Sequence, residues 1–364
     1  MGLAILGMGT ALPDHSVEQR DSADMAAAFC CHTAKEARLL TALYQRTGVR
    51  VRHSVVLEAS SNGKPARQSF YPAAASLRDR GPTTGRRMEV YETQAASLAE
   101  LAARAALADA DVEPRAITHL VTVSCTGFSA PGVDLDLLQQ LDLAPTVART
   151  HIGFMGCHGA LNGLRVAQAF AEADPRACVL LCAVELCSLH QQYGWQPERI
   201  VANALFADGA ACVVARQGEP DASGNWVLAA NGSTLVADTR AEMQWRIGDH
   251  GFEMVLSPRV PEVIRKHLRP WLDNWLSRYG LSPADVGSWA IHPGGPKILT
   301  ACAQAVGFSA DQLEPSQSIL EEFGNMSSPT ILFILQRLRQ RRAARPSVAL
   351  AFGPGLTVEA ALIR

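Results

Sequence analysis

The sequence predicts an α/β fold made of two similar halves. Short apolar runs, of which 178–185 is the clearest, alternate along the chain with helical patterns. A continuous apolar run of this length is typical of a strand that is covered on both faces of its sheet. Two segments, which begin at residues 111–114 and 281–285, also share one order of acidic proline loop, short strand and polar loop after a helix. Such a repeat indicates two units that fold alike.

The first half is predicted from its apolar periodicity and its turn residues. In chain order it contains a strand at 1–12, a helix at 22–47, a basic extended segment at 49–53, a polar surface loop at 58–88, an Ala-rich helix at 92–110, a strand at 119–124, a helix near 134–141, a helix that opens at the turn around Cys157, a strand at 178–185 and a strand within 205–216.

The second half follows a segment rich in Gly, Pro, Asp and Ser at 217–225, which predicts the boundary between domains 1–220 and 221–364. Its predicted elements are a strand at 226–230, an irregular segment at 231–257, a helix at 260–279, a strand at 287–292, a helix at 296–306, a helix at 328–343 and a hairpin-like pair at 347–363.

The composition excludes several functional classes. The 364 residues carry a net charge of −2, so no overall field attracts nucleic acid. No apolar run reaches the roughly 18 residues that a membrane-spanning helix needs. The nine cysteines include no C-x-x-C pair, which favours reduced core residues over disulfides or a zinc site. The opening residues resemble a strand rather than a signal peptide, so we expect a cytoplasmic protein without a bound metal.

A glycine-rich turn surrounds Cys157. Gly153 and Gly156 permit a sharp backbone before the cysteine, and a helical pattern follows it. The first N–H groups of that helix and the positive end of its dipole would favour a nucleophilic thiolate. Taken alone, Cys157 is more consistent with a small buried side chain in a packed turn, because free cysteine is among the most buried residue types.

The repeat brings further reactive side chains to the same place. Cys157 and Asn325 open equivalent helices, while Cys125 and His292 follow equivalent strands. Ligands of such sheets bind beyond strand ends, where the halves meet, so we expect Cys157, His292 and Asn325 to converge. A Cys–His pair can supply a thiolate, and His with Asn can stabilise an oxyanion. A papain-like hydrolase also uses Cys, His and Asn in this order, but there the Asn orients the His.

The combined motifs resemble the thiolase-fold condensing enzymes, and most closely the bacterial members of the chalcone synthase-like type III polyketide synthases. The resemblance covers nearly the whole chain. It rests on the sequences GC at 156–157, LFADGA at 205–210, IHPGGP at 291–296, GNMSS at 324–328 and FGPGLT at 352–357. Ala351 departs from the family's usual glycine. Ketoacyl synthases that initiate fatty acids share the three residues but lack two of the motifs, and rank second.

This resemblance implies a fold and a reaction. The fold would be thiolase-like, with two αβ halves in an α-β-α-β-α arrangement of layers. Cys157 would take an acyl group from an acyl-CoA starter, while His292 and Asn325 would hold malonyl-CoA during loss of carbon dioxide and condensation. No redox cofactor is needed, because decarboxylation itself supplies the carbanion. A homodimer is also expected.

The resemblance also implies residues around the substrate. Phe206 and Phe252 would be aromatic gates between a CoA tunnel and the cavity. The other predicted cavity residues are Cys125, Thr126, His190, Met243, Ser327, Gly353 and Pro354. Arg50 and Lys297 would bind the phosphates of CoA. We expect an alkyl starter and an alkylpyrone or alkylresorcinol product. The alternatives are a chalcone- or tetrahydroxynaphthalene-type synthase with an aromatic or malonyl starter, and, from another class, a cysteine-dependent hydrolase.

Overall fold

The computed structural model describes residues 2–61, 65–219 and 226–364. The helices in chain order are α1 (Gln19–Cys30), α2 (Ala34–Gln45), α3 (Thr84–Ala110), α4 (Val133–Gln140), α5 (Gly159–Ala173), α6 (Pro197–Leu205), α7 (Val260–Ser277), α8 (Pro296–Val306), α9 (Ala310–Phe323) and α10 (Ser328–Gln340). The strands are β1 (Gly2–Ala11), β2 (Ser16–Glu18), β3 (Val51–His53), β4 (Leu57–Ala59), β5 (Arg67–Gln68), β6 (His119–Ser124), β7 (Ala148–Gly153), β8 (Cys178–Leu186), β9 (Asp208–Gly218), β10 (Trp226–Leu235), β11 (Met243–Gly248), β12 (Gly251–Leu256), β13 (Ser288–Ile291), β14 (Ser347–Gly353) and β15 (Thr357–Ile363).

Nine of these strands form a mixed sheet in the order β13-β14-β15-β10-β1-β9-β8-β6-β7. In the first half, β6 is parallel to β8, β8 is antiparallel to β9, and β9 is antiparallel to β1. In the second half, β13, β14, β15 and β10 follow with the same directions. The halves meet where β1 pairs antiparallel with β10. The predicted repeat of two αβ halves is therefore confirmed.

Helices α5 and α10 form a central layer between the two halves of the sheet. Leu181 and Ala183 of β8 pack in one buried cluster with Leu164 of α5 and Leu332 of α10. Because side chains alternate along a strand, Leu180 points the other way, into a cluster with α3 and α4. The outer faces of β13 and β14 pack on α7 and α8. These clusters give the α-β-α-β-α layers that the resemblance implied.

Several parts of the predicted secondary structure were wrong. The helix expected at 22–47 is two helices, because Thr33 and Glu36 form a capping box that starts α2. The segment 231–257 is not irregular, since it contains the end of β10 and the hairpin of β11 and β12. The edge strand β7, the helices α6 and α9 and the short strands β4 and β5 were missed, and part of the expected 58–88 loop is helical because α3 begins at Thr84. Most of β7 is exposed and polar, and α9 contains Pro315, which argues against a helix in sequence.

The expected boundary between the domains is only partly visible. Strand β9 ends at Gly218 and β10 begins at Trp226. Residues 220–225, which form most of the predicted boundary, lie outside the described residues. The division into 1–220 and 221–364 therefore stays a prediction.

Candidate active site

The turn that carries Cys157 lies between β7 and α5. Phe154 has φ +57° and Gly156 has φ +75°, so two residues of the turn adopt the left-handed conformation. Residues Gly156–His158 then form one 3₁₀ turn before α5 begins. A left-handed conformation is costly for a bulky residue such as phenylalanine and is found where the surroundings enforce it, often at functional sites. The half-buried Cys157 is thus held in a constrained backbone.

Asn325 is fixed by backbone pairing to the end of α6. Its N–H donates to Leu205 O at 2.9 Å, and its carbonyl accepts from the Ala207 N–H at 2.9 Å. The side-chain Oδ1 accepts from the Ser327 N–H at 2.8 Å. Because this bond occupies the amide oxygen, the Nδ2 hydrogens remain to act as donors. The predicted role of Asn325 as a donor to substrate is therefore compatible with its geometry.

His292 follows β13 and is held to the neighbouring strand β14, because its N–H donates to Leu350 O at 2.8 Å. The side chain is buried, with 1% of its surface exposed. Neither ring nitrogen has a hydrogen-bond partner among the described residues. A buried imidazole without hydrogen-bond partners lowers the stability of the fold. Such a group is expected where a bound ligand supplies the missing partner.

The electrostatics of the site do not favour the expected thiolate. Burial raises the pKa of the Cys157 thiol to about 11, although Ser327 and then Asn325 oppose this rise by interacting with the sulfur. Burial, and next the nearby His158, lowers the pKa of His292 to about 3. Both groups are therefore neutral at pH 7. The interactions place Ser327 and Asn325 at Cys157 and place His292 near the residue that follows it.

A cavity lies against Cys157. Six predicted substrate residues line it: Cys125, Thr126, Phe206, Met243, Ser327 and Pro354. Cys187, Trp245 and Met254 complete much of its wall, and none of these three was predicted. The wall is mostly apolar, as in many small-molecule sites.

Phe252 and His190 line a neighbouring cavity, which shares Phe206 and Trp245 with the first. The rings of His190 and Phe252 stack at 4.2 Å. His190 Nδ1 accepts from the Phe252 N–H at 3.0 Å, so Nε2 carries the proton that it donates to Thr126 O at 2.7 Å. His190 therefore supports Phe252, and Phe206 stands at the junction of the two cavities.

The predicted loop Gly353 and Pro354 interlocks with the turn that holds Cys157. A β-carbon on Gly156 would lie 2.6 Å from Pro354 Cδ, and one on Gly353 would lie 2.1 Å from His158 Cδ2. Glycine is therefore required at both positions for this close approach. Pro354 borders the cavity at Cys157, whereas Gly353 packs on the ring of His158.

Arg50 and Lys297 lie on two segments that approach each other beside α6. A β-carbon on Gly48 would lie 3.2 Å from the Pro296 ring, and Val49 packs in a cluster with Leu205. Both cationic residues are exposed. Arg50 forms a 3.4 Å ion pair with Glu321. The segments that carry the two cations thus both pass close to Leu205, the residue that precedes Phe206.

Two residues that shape the site had no clear sequence signal. Glu185 is buried in the apolar strand β8 and accepts from the Cys125 N–H at 2.8 Å and the Thr126 hydroxyl at 2.7 Å. It also accepts from Ser328 at the start of α10 at 2.7 Å, and burial raises its pKa to about 7. Trp245 donates from Nε1 to Cys125 O at 2.7 Å. In the sequence, Glu185 is a single acid within an apolar run, and Trp245 lies in a segment that was expected to be irregular. Neither pattern predicts a role in the site.

The fold and the site define a thiolase-fold condensing enzyme. The N-terminal domain model of the chalcone and stilbene synthases matches residues 2–219, and the C-terminal domain model matches residues 227–364. The chain belongs to this family of type III polyketide synthases, which are CoA-dependent acyltransferases. The predicted class of enzyme is therefore confirmed.

Individual relatives agree with this family. A 1,3,6,8-tetrahydroxynaphthalene synthase of Streptomyces peucetius subsp. caesius is 35% identical over 100% of this chain and 93% of its own length. The α-pyrone synthesis polyketide synthase-like Pks18 of Mycobacterium tuberculosis is 32% identical over 98% of this chain and 90% of its own. The crystal structure of PKS-I from the brown alga Ectocarpus siliculosus superposes with a TM-score of 0.92 at 30% identity, covering 100% and 98% of the two chains.

Two features are absent from the described residues. In the ranges 2–61, 65–219 and 226–364, no helix is long and apolar enough to cross a bilayer. Within the same ranges, no group of three or more His, Cys, Asp or Glu side chains is arranged to hold a metal ion.

Proposed function

We propose that Cys157 carries the growing acyl chain and that His292 and Asn325 act on the thioester of malonyl-CoA. The observation that carries this proposal is the interaction of the Asn325 and Ser327 side chains with the Cys157 thiol, beside a cavity that Phe206 also lines. The unpartnered ring of buried His292 supports the same assignment. The reaction needs CoA thioesters as substrates and no further cofactor.

In the loading step, the Cys157 thiol gives its proton to His292 while its sulfur attacks the carbonyl carbon of an acyl-CoA starter. The lowered pKa of His292 leaves its imidazole neutral at pH 7, so it has a lone pair for this proton. When the bond between the carbonyl and the CoA sulfur breaks, His292 returns the proton to the departing CoA thiolate. The products are acyl-Cys157 and free CoA.

In the extension step, malonyl-CoA loses carbon dioxide, and the electrons of the broken bond form an enolate. N–H donors of His292 and Asn325 stabilise the enolate oxygen. The enolate carbon then attacks the acyl-Cys157 carbonyl, and the Cys157 thiolate leaves and is protonated again. The chain, now two carbons longer, is held as a CoA thioester and can return to Cys157.

For the substrate, we propose an alkyl acyl-CoA starter and a product of the alkylpyrone or alkylresorcinol type. The apolar walls formed by Phe206, Met243, Trp245 and Met254 support this proposal, and so does the second cavity beyond Trp245. The relative named for α-pyrone synthesis points the same way. The tetrahydroxynaphthalene synthase, at 35% identity, favours a malonyl starter as the second candidate.

We also propose that the enzyme is a cytoplasmic homodimer and that Arg50 and Lys297 bind the phosphates of CoA. The exposed edge strand β7 leads directly to the turn at Cys157 and supports a partner subunit at that edge. Both cations are exposed on segments that pass beside Leu205, the residue before Phe206, and phosphate groups form strong hydrogen bonds with such groups.

Mass spectrometry of products from malonyl-CoA with hexanoyl-, lauroyl-, palmitoyl- or coumaroyl-CoA tests the proposed substrate. Each methylene that enters an apolar tunnel contributes about 0.8 kcal/mol, so use of alkyl starters should rise with length until the tunnel ends. The Cys157→Ala variant, which keeps the fold but lacks the sulfur, should form no product. Preference for coumaroyl-CoA, or for malonyl-CoA alone, would refute the alkyl proposal, and extension by the Cys157→Ala variant would refute the nucleophile.

A further inference from the structure

The buried side chain of Arg52 joins the two strips of backbone that carry Phe206 and Asn325. Only 3% of Arg52 is exposed. Its Nη1 donates to Asn203 O at 2.6 Å and to Phe206 O at 2.8 Å, and its Nη2 donates to the Ser22 hydroxyl. The guanidinium therefore occupies carbonyl oxygens that the end of α6 leaves without helical partners. A cation also suits the negative end of the helix dipole.

The backbone that Arg52 holds is the backbone to which Asn325 is paired. Leu205 O accepts from the Asn325 N–H, and the Ala207 N–H donates to Asn325 O, so Phe206 and Asn325 form a β-bridge. Arg52 also touches the second strip directly. A β-carbon on Gly324 would lie 3.0 Å from Arg52 Cγ, so Arg52 and the residue before Asn325 are tightly packed.

The contacts of Arg52 support only one part of the proposed active site, namely the backbone of Phe206 and Asn325. Cys157 lies on a different support, because its turn leads into α5 and packs against Pro354 and Gly353. Arg52 has no role in that packing. A shift of the α6 end would therefore move Asn325 and the Phe206 ring relative to the substrate, while the attachment of Cys157 would stay in place.

We propose that Arg52 is a positioning residue that sets the location of the Asn325 amide and the Phe206 ring, and that it thereby controls decarboxylation of malonyl-CoA more strongly than loading of Cys157. This inference rests on the proposed function. Arg52 lies two positions from Arg50 but differs from it in burial, since the side chain of Arg50 is 62% exposed.

The test separates the two half-reactions. Loading is measured as the mass added to Cys157 by an acyl-CoA starter, and decarboxylation as release of acetyl-CoA from malonyl-CoA. In Arg52→Met, two backbone carbonyls lose their donors, and decarboxylation should fall roughly 10- to 100-fold, the range expected when a catalytic group is misplaced by about 1 Å. Loading should fall by a smaller factor, because the Cys157 thiol keeps its interaction with Ser327 when the Asn325 amide shifts.

The Arg52→Lys variant and the chemical rescue of Arg52→Ala are two further tests, which distinguish a loss of positioning from a loss of folding. Lysine keeps the charge but lacks the planar fork of donors, so its decarboxylation rate should fall between those of the wild type and Arg52→Met. Arg52 lines a cavity beside Ser22, and truncation of its side chain vacates the space that methylguanidinium would occupy. Added methylguanidinium should therefore restore part of the decarboxylation of Arg52→Ala.

Leu272→Ala is the matched control, because Leu272 is fully buried in α7. Its loss of stability should lower loading and decarboxylation by the same factor. Equal losses of both half-reactions in the Arg52 variants, wild-type behaviour of Arg52→Met, or absence of rescue would each overturn the proposal. A wild-type enzyme that loads Cys157 but never releases acetyl-CoA from malonyl-CoA would instead refute the proposed function.

Discussion

At the scale of single residues, the reactivity of Cys157 is a balance between burial and two polar neighbours. Burial raises the pKa of the thiol, whereas Ser327 and Asn325 lower it. The thiolate is the form that reacts, so each neighbour increases the reactive fraction at a given pH. Cys157 itself lies inside the 3₁₀ turn Gly156–His158, two residues before α5 begins at Gly159, and not on the first turn of that helix.

Ser327→Ala tests this balance. Removal of a group that lowers the thiol pKa should shift the pH dependence of alkylation to higher pH, so that the variant reacts more slowly with iodoacetamide than the wild type at any pH below its own pKa. The rate is followed as mass added to the peptide that contains Cys157. The control is Ser277→Ala, at the exposed end of α7. A curve for Ser327→Ala that coincides with the wild type, or moves to lower pH, contradicts the assignment.

Arg50→Glu tests the proposed contact with CoA. The exposed ion pair with Glu321 contributes little to stability, so the variant should fold normally. Hydrogen bonds to charged groups contribute about 1.5–3 kcal/mol, so KM for CoA esters should rise by roughly tenfold or more while kcat changes less. Arg115→Glu is the matched control, because Arg115 is also exposed and paired with an acid, Asp142. An unchanged KM in Arg50→Glu would remove Arg50 from the site.

At the scale of elements, the turn at Cys157 and the loop at Gly353 depend on close contact between backbones. Gly156 has φ +75°, and a β-carbon there would lie 2.6 Å from Pro354 Cδ. Gly280 has the similar φ of +71°, but nothing lies within 4 Å of its β-carbon position. Alanine substitutions at the two glycines therefore separate two losses of folding free energy, one from left-handed backbone and one from overpacking.

Gly156→Ala and Gly280→Ala should both lower the free energy of unfolding by about 1–2 kcal/mol for the backbone. Gly156→Ala should lose about 1–3 kcal/mol more from overpacking, together with its loading activity, since Cys157 is the next residue. Urea unfolding of both variants measures the difference. If Gly156→Ala is no less stable than Gly280→Ala and still loads Cys157, the contact with Pro354 is unimportant.

Elements with a strong periodic pattern could be predicted from the sequence, and elements defined by their surroundings could not. Helix α8 was placed at its observed bounds, because its apolar face and its proline start are local signals. The hairpin of β11 and β12 was missed, because several of its side chains line the two cavities and do not pack into one apolar core. In the same way, the spacing of Cys157, His292 and Asn325 followed from the repeat, whereas Arg52 could not be told from Arg50 without knowing which of them is buried.

At the scale of the whole molecule, the repeat explains why the site lies between the halves. Equivalent strands β6 and β13 end beside Cys125 and His292, and equivalent helices α5 and α10 begin beside Cys157 and the Asn325 segment. The first half adds β7 to the sheet, and the described part of the second half has no strand at the matching edge. This asymmetry leaves an exposed edge only a few residues from the nucleophile.

An exposed edge strand with apolar residues beside it invites pairing with another chain. Phe128 is 53% exposed, and its ring centroid lies 6.0 Å from that of Phe154, just beyond the end of β7. We therefore expect light scattering to give a mass near twice that of one chain. Phe128→Glu, which places a charge in the proposed interface, should shift the enzyme towards monomer, because a buried unpaired charge is costly. Leu101→Glu, on the 57% exposed face of α3, should leave the mass unchanged. A monomeric wild type, or dissociation by Leu101→Glu as well, would show that β7 is not the dimer edge.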